Sequence, residues 1–170
     1  MAAAIAIGVF ANAATVNWSM AGVYQPGTTT AGSGYAVYLF QTSESVTLST
    51  IASAIEGGSF GTIASSALAN GSTLASGAYM KTGLGNYSGT TESPFTAGFI
   101  ALVFDASTYV DAENYAMAET SLTFTSATGS KTAMFTNFST NNEWQSIPEP
   151  TSSLLLLVGV AGLALRRRKV

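Results

Sequence analysis

Apolar and polar positions alternate over short stretches along most of this chain. Val16, Trp18 and Met20 are separated by Asn17 and Ser19, so a strand there presents all three to one face. The stretch YAVYLF at residues 35–40 is dense in strand formers and lies between Gly34 and Thr42-Ser43. Residues 99–104, FIALVF, have no polar position at all. A strand with no polar face belongs at the centre of a sheet covered on both sides. Tyr115 with Met117, Leu122 with Phe124, and Met134 with Phe135 inside residues 132–138 predict three more short strands, and Trp144 and Ile147 close the last edge. Turn signals separate these runs: Pro26-Gly27, Gly57-Gly58, Asn70-Gly71, the glycines of residues 83–89, and Thr128-Gly129.

One segment has a different period. In residues 47–56, Leu48, Ile51, Ala52 and Ile55 recur at i, i+3, i+4 and i+7, the stripe of an amphipathic helix, and Gly57-Gly58 supplies its C-cap. The pattern therefore predicts an all-β body, an antiparallel β-sandwich of about eight strands carrying one short helix. A core drawn from residues 14–146 is large enough to fold without disulfides.

The two ends follow neither pattern. Residues 2–11 are apolar and lead into Ala11-Asn12-Ala13, small residues at the two positions a signal peptidase reads, which predicts cleavage between Ala13 and Ala14. No Lys or Arg precedes that run, so the basic n-region of a signal peptide is missing from residues 1–13. The other end reads IPEPTSSLLLLVGVAGLALRRRKV. Pro148 and Pro150 lack an N–H and push the residue before each toward extended conformations, so Pro148-Glu149-Pro150 is a stiff, accessible peptide. An uncharged run follows: Leu154, Leu155, Leu156, Leu157, Val158, Gly159, Val160, Ala161, Gly162, Leu163, Ala164 and Leu165. As a helix it spans roughly 18 Å, short of a hydrocarbon core of ~30 Å. Recruiting residues 151–153 and letting arginines snorkel closes much of the difference, which predicts a C-terminal single transmembrane helix. Arg166, Arg167, Arg168 and Lys169 form a basic stop-transfer segment, cytoplasmic by the positive-inside rule, which leaves the body outside.

These last 24 residues resemble the PEP-CTERM sorting domain of Gram-negative bacteria: Pro148, Glu149 and Pro150 carry its signature, and the apolar run and basic terminus follow in order. The resemblance implies recognition by exosortase, a membrane-embedded transpeptidase-like enzyme cutting near the motif. It also implies delivery to the cell surface or extracellular matrix, often in bacteria that make exopolysaccharide. The expected organisation is a signal peptide at 1–13, an extracellular β domain at 14–146 and a sorting segment at 147–170. The expected route passes through the secretion machinery, signal peptidase and the plasma membrane.

Charge and chemistry narrow what the body does. Between Ala14 and Ile147 two cations, Lys81 and Lys131, stand against eight acids, a net charge of −6. So acidic a surface repels phosphate backbones and excludes nucleic acid as a partner. The sequence has no cysteine and no histidine. Ser-His-Asp and Cys-His centres cannot be built, nor can a zinc site with nitrogen or sulfur ligands. Carboxylates remain. Asp105, Asp111 and Glu113 follow the apolar strand closely, either as solvated loop acids or as calcium ligands together with backbone carbonyls. Their spacing is not that of an EF-hand loop. Tyr24, Tyr79, Tyr87 and Tyr109 are core or rim aromatics or, alternatively, a stacking surface for sugar rings. The leading reading is a non-catalytic structural protein of the surface or matrix, without a cofactor. A carbohydrate-binding module is the alternative. A glycan-active enzyme would need two carboxylates facing each other across a cleft.

Overall fold

The structure is a computed structural model, and it describes residues 14–75, 78–87, 95–125, 130–135 and 144–148. The expected signal peptide, Glu149, Pro150, residues 154–165 and the basic segment lie outside the described residues. Among those described, no helix is long and apolar enough to cross a membrane.

Mostly strands, with two short helices, make up the body. In chain order they are β1 (Ala14–Ala21), β2 (Ala36–Gln41), α1 (Leu48–Glu56), α2 (Phe60–Ala64), β3 (Ala69–Thr73), β4 (Ala78–Tyr87), β5 (Phe95–Phe104), β6 (Asn114–Phe124), β7 (Ser130–Phe135) and β8 (Gln145–Ser146). They form a three-stranded sheet, β4-β1-β7, and a five-stranded sheet, β3-β2-β5-β6-β8. Neighbours are antiparallel except β1 and β7, which run parallel in the register Trp18 opposite Ala133. That pair departs from the expected wholly antiparallel arrangement. Both strands send apolar residues to the same core, and β7 reaches the free edge of β1 from the far side of the chain.

The unbroken apolar run does lie at the centre. Strand β5 pairs with β2 on one side and β6 on the other. Its alternate residues Ala97, Phe99, Ala101 and Val103 join Val16, Trp18, Met20, Ala133 and Phe135 in one core between the two sheets. Ile100, Leu102 and Phe104 face the other way, onto Ile51, Ile55 and Phe60 of the helices. Strand β2 divides likewise, Val37 and Leu39 to the first core and Tyr38 and Phe40 to the second. Strand β6 also serves both cores. The sequence splits it in two because Tyr115 and Met117 are odd-numbered whereas Leu122 and Phe124 are even-numbered. It is one strand whose early odd positions face the helices and whose even positions face the other sheet.

Helix α1 starts where its stripe predicts, for local reasons. Thr50 N–H donates to Thr47 Oγ1 at 3.2 Å, and Thr47 N–H donates to Thr50 Oγ1 at 2.8 Å, a capping box built from two threonines. It ends in a Schellman turn: Gly58 N–H donates to Ile55 O and Ser59 N–H to Ala54 O. Gly58 takes φ +69°, which favours glycine. The expected single helix is corrected to two. The second, α2, is one short turn beyond Gly58, too brief for a periodic pattern, and it exists because Phe60 and Ala64 bury against the sheet.

Two strands lie where turns are expected. Asn70-Gly71 falls inside β3, as a bulge: Leu39 pairs with Ala69 but Val37 with Ser72, so an extra residue is accommodated there. Gly71 at φ +61° takes the left-handed conformation such a bulge uses. Residues 83–87, inside the glycine run, belong to β4, whose ladder with β1 slips in register on both sides of Val16. Glycine here marks irregular strands.

Trp18 is fully buried, edge-on to Phe135 with ring centroids 6.5 Å apart. Trp18→Ala is expected to cost about 3–5 kcal/mol and Thr47→Ala only about 1 kcal/mol, read as shifts in the midpoint of denaturant unfolding. A Thr47→Ala loss matching that of Trp18→Ala would show that the helical layer, rather than the core between the sheets, limits stability.

Candidate functional site

Where β5 leaves the sheet, residues 105–113 loop across the end of the helices before β6 begins. Asp105 holds this loop closed. Its Oδ1 accepts from Glu113 N–H at 3.0 Å and Asn114 N–H at 2.9 Å, and its Oδ2 accepts from Asn114 Nδ2 at 2.7 Å. Thr108 Oγ1–H donates to Asp111 Oδ2 at 2.6 Å, folding the tip on itself. The three acids picked out by the sequence thus take separate tasks: Asp105 is a clamp, Asp111 a turn acceptor, Glu113 an exposed rim residue. Among the described residues no three acidic side chains are gathered closely enough to hold one metal ion.

The loop and the turn between the helices enclose a cleft of about 930 Å³. It is lined by Glu56, Gly57 and Gly58 of the inter-helix turn, by the segment from Tyr109 to Asn114, and by Ser146, Ile147 and Pro148. Phe60 and Phe104 line it as well. Tyr109 is held at this spot by edge contact with Phe60, centroids 5.1 Å apart, and by Phe104 at 6.2 Å. Gly61 makes room for it, since a Cβ there would sit 2.7 Å from the Tyr109 hydroxyl. Val110, 74% exposed, stands at the rim. Of the other tyrosines considered for stacking, Tyr24 is half-buried in a bridge with Ala31, away from the cleft. Tyr79 and Tyr87 lie in β4, whose side chains are outside the described set.

Tyr115, whose ring is buried, links three elements beside the cleft. Its hydroxyl oxygen lies 2.6 Å from Gln145 Oε1 and 3.2 Å from Glu56 Oε1. One phenolic proton cannot serve two acceptors. The arrangement that satisfies all three has Tyr115 donating to Glu56 while the Gln145 amide, turned half over, donates its N–H to Tyr115. Burial raises the Tyr115 pKa, and the Glu56 carboxylate adds to it by charge and hydrogen bond, so that the phenol is pushed up to about 12. No sequence signal marks this network, because Glu56 reads as a helix end and Tyr115 as a strand former.

The network secures β8, the final strand described. Gln145 and Ser146 pair with Tyr115 and Asn114, and Ile147 N–H donates to Glu113 O at 2.8 Å. Pro148 comes next and is exposed. It has no N–H with which to extend the ladder, and it lines the cleft. A family model of the PEP-CTERM protein-sorting motif matches residues 146–169, beginning on the last residue of β8. The chain carries a PEP-CTERM sorting motif. It is thereby marked as an exported protein sorted by exosortase to the cell surface by way of the membrane. The motif shares Ser146, Ile147 and Pro148 with the described fold and continues in sequence to residue 169. No curated protein and no solved structure matches the chain.

Two outcomes follow from this geometry. Asp105→Ala strands the Glu113 and Asn114 N–H groups and should cost about 1–2 kcal/mol, the lower part of the range because water reaches the exposed one. Amide hydrogen exchange should quicken at those two residues first. Because the folded Tyr115 pKa exceeds the ordinary value of 10.0, its contribution to stability is complete below pH 10 and declines as pH rises through about 12. Tyr35 and Tyr38 are raised too, mainly by burial, and steepen the same decline. Tyr115→Phe should flatten it measurably in unfolding midpoints taken across that window. An unchanged slope would mean that Tyr115 ionises as freely as in the unfolded chain.

Proposed function

We propose that the body is a non-catalytic structural component of the bacterial surface or matrix, an antiparallel-dominated β-sandwich delivered by its sorting tail. The observation that carries this reading is the position of the motif, which begins on the last described strand and includes the exposed Pro148. Export begins with cleavage between Ala13 and Ala14 by signal peptidase. Residues 154–165 then hold the chain in the plasma membrane as a single transmembrane helix, with Arg166, Arg167, Arg168 and Lys169 fixing its orientation. Exosortase, which acts within the membrane, meets the same Pro148-Glu149-Pro150 peptide in every copy because β8 holds the residues just before it. The released body passes to the surface of a Gram-negative-type cell, among its exopolysaccharide. Its stability suits that setting, since the hydrophobic cores contain no buried polar or charged residue among those described and need no disulfide.

Replacing Glu149 by Ala, or the four terminal cations by Ser, should leave the body folded while full-length protein accumulates in the membrane. Immunoblots with an antibody to the body and a tag placed after Val170 read this out. Surface material from the unaltered protein should react with the antibody and have lost the tag. Mature surface protein that keeps the tag in cells possessing an exosortase would make the tail a permanent anchor and overturn the proposal.

A further inference from the structure

The cleft beside Pro148 has a chemistry of its own. Glu56, Asp111 and Glu113 line it and no cation does. The two cations of the body, Lys81 and Lys131, belong to β4 and β7 in the three-stranded sheet, whereas the cleft lies on the helical side of the five-stranded sheet. The negative field at the cleft is therefore opposed by no nearby positive residue among those described, and a cationic ligand is drawn to it. The acids do not converge on one point, so they suit charges spread along a ligand better than a single ion. Tyr109 lines the same cleft, fixed by Phe60 and Phe104 and half-exposed, an aromatic surface already ordered before any ligand arrives. The volume of about 930 Å³ lies within the range of ligand clefts, ~300–1,000 Å³.

We propose that this cleft binds a saccharide chain whose rings carry primary ammonium groups. A sugar ring sets its C–H face or its ammonium on Tyr109. The neighbouring ammonium groups meet the lining carboxylates of Glu56, Asp111 and Glu113. Hydroxyl donors use the carboxylate oxygens left over, in a site that offers acceptors in excess. A peptide is the poorer fit, because peptide docking in an extended form leans on main-chain pairing and β8 offers only two residues of ladder. This inference stands apart from the sorting reading, since it concerns the body's surface and can fail or hold whatever becomes of the tail.

The test uses the full-length chain in detergent micelles, titrated calorimetrically with a glucosamine oligosaccharide, its N-acetylated counterpart of equal length, and oligolysine of matching charge. The glucosamine oligomer should bind, with affinity falling as salt is added, and the N-acetylated form should not. Tyr109→Ala, and separately Asp111→Asn with Glu113→Gln, should each weaken binding by at least about tenfold, as expected when contacts at a charged, partly desolvated site are lost. Glu44→Gln, an exposed acid outside the cleft, should leave it unchanged. The paired acid variant keeps the test decisive if Tyr109→Ala unfolds the helical layer. Absent binding of the glucosamine oligomer, equal binding of the acetylated form, equal binding of oligolysine, or insensitivity to the cleft acids would each overturn the proposal.

Discussion

Residues 99–104 of strand β5 have no polar position, and the rest of the body is arranged to meet that constraint. Ala97, Phe99, Ala101 and Val103 on one side and Ile100, Leu102 and Phe104 on the other must all leave water. A sheet has two faces, so two further layers are required. Strands β1, β4 and β7 supply one. They bring Trp18 and Phe135, large rings that fill the space left above the alanines of β5. The helices supply the other. Neighbouring strands β2 and β6 share the burden by alternating between the two cores.

The helical layer is small, and its limits create the cleft. A helix of nine residues is marginal alone in water. Its capping box, its Schellman turn and the apolar stripe of Ile51 and Ile55 make it persist. Phe60 then packs at near right angles to Tyr38, centroids 5.2 Å apart, and against Phe104 at 5.1 Å. This aromatic group fixes Tyr109 in turn. Two short helices do not reach the end of the sheet where β5 passes into the loop and β8 joins β6. The uncovered end is the cleft, and Pro148 lines it.

The last described residues belong both to the fold and to the sorting motif. Ser146 and Ile147 are held by backbone hydrogen bonds to Asn114 and Glu113, while Pro148 can make no such bond from its nitrogen. The sorting motif begins on the held residues and continues in sequence to residue 169. Glu56, Tyr115 and Gln145 tie β8 to α1 and β6, so the last described strand is held by side chains from three separate parts of the sequence.

The sequence by itself determined what depends on local order. The motif at Pro148, Glu149 and Pro150 is contiguous and needs no folded partner to be legible. The inward face of β1, the double burial of residues 99–104 and the limits of α1 follow from spacing and caps, which act over a few residues. Tertiary structure decided the remainder. Gly71 and Gly83 read as turn residues because glycine permits turns, yet pairing with β2 and β1 places them in strands, and the partner strand is remote in sequence. The parallel course of β7 beside β1 joins segments over a hundred residues apart. Asp105, Asp111 and Glu113 are close in the chain, and spacing left them open between loop acids and ligands; the fold ties the Asp105 carboxylate to the backbone N–H groups of residues 113 and 114 and Asp111 to Thr108. Glu56 and Tyr115, far apart in the chain, meet instead. Periodicity reports which face a residue buries; it cannot report which distant residue waits there, because that is set by how whole layers stack.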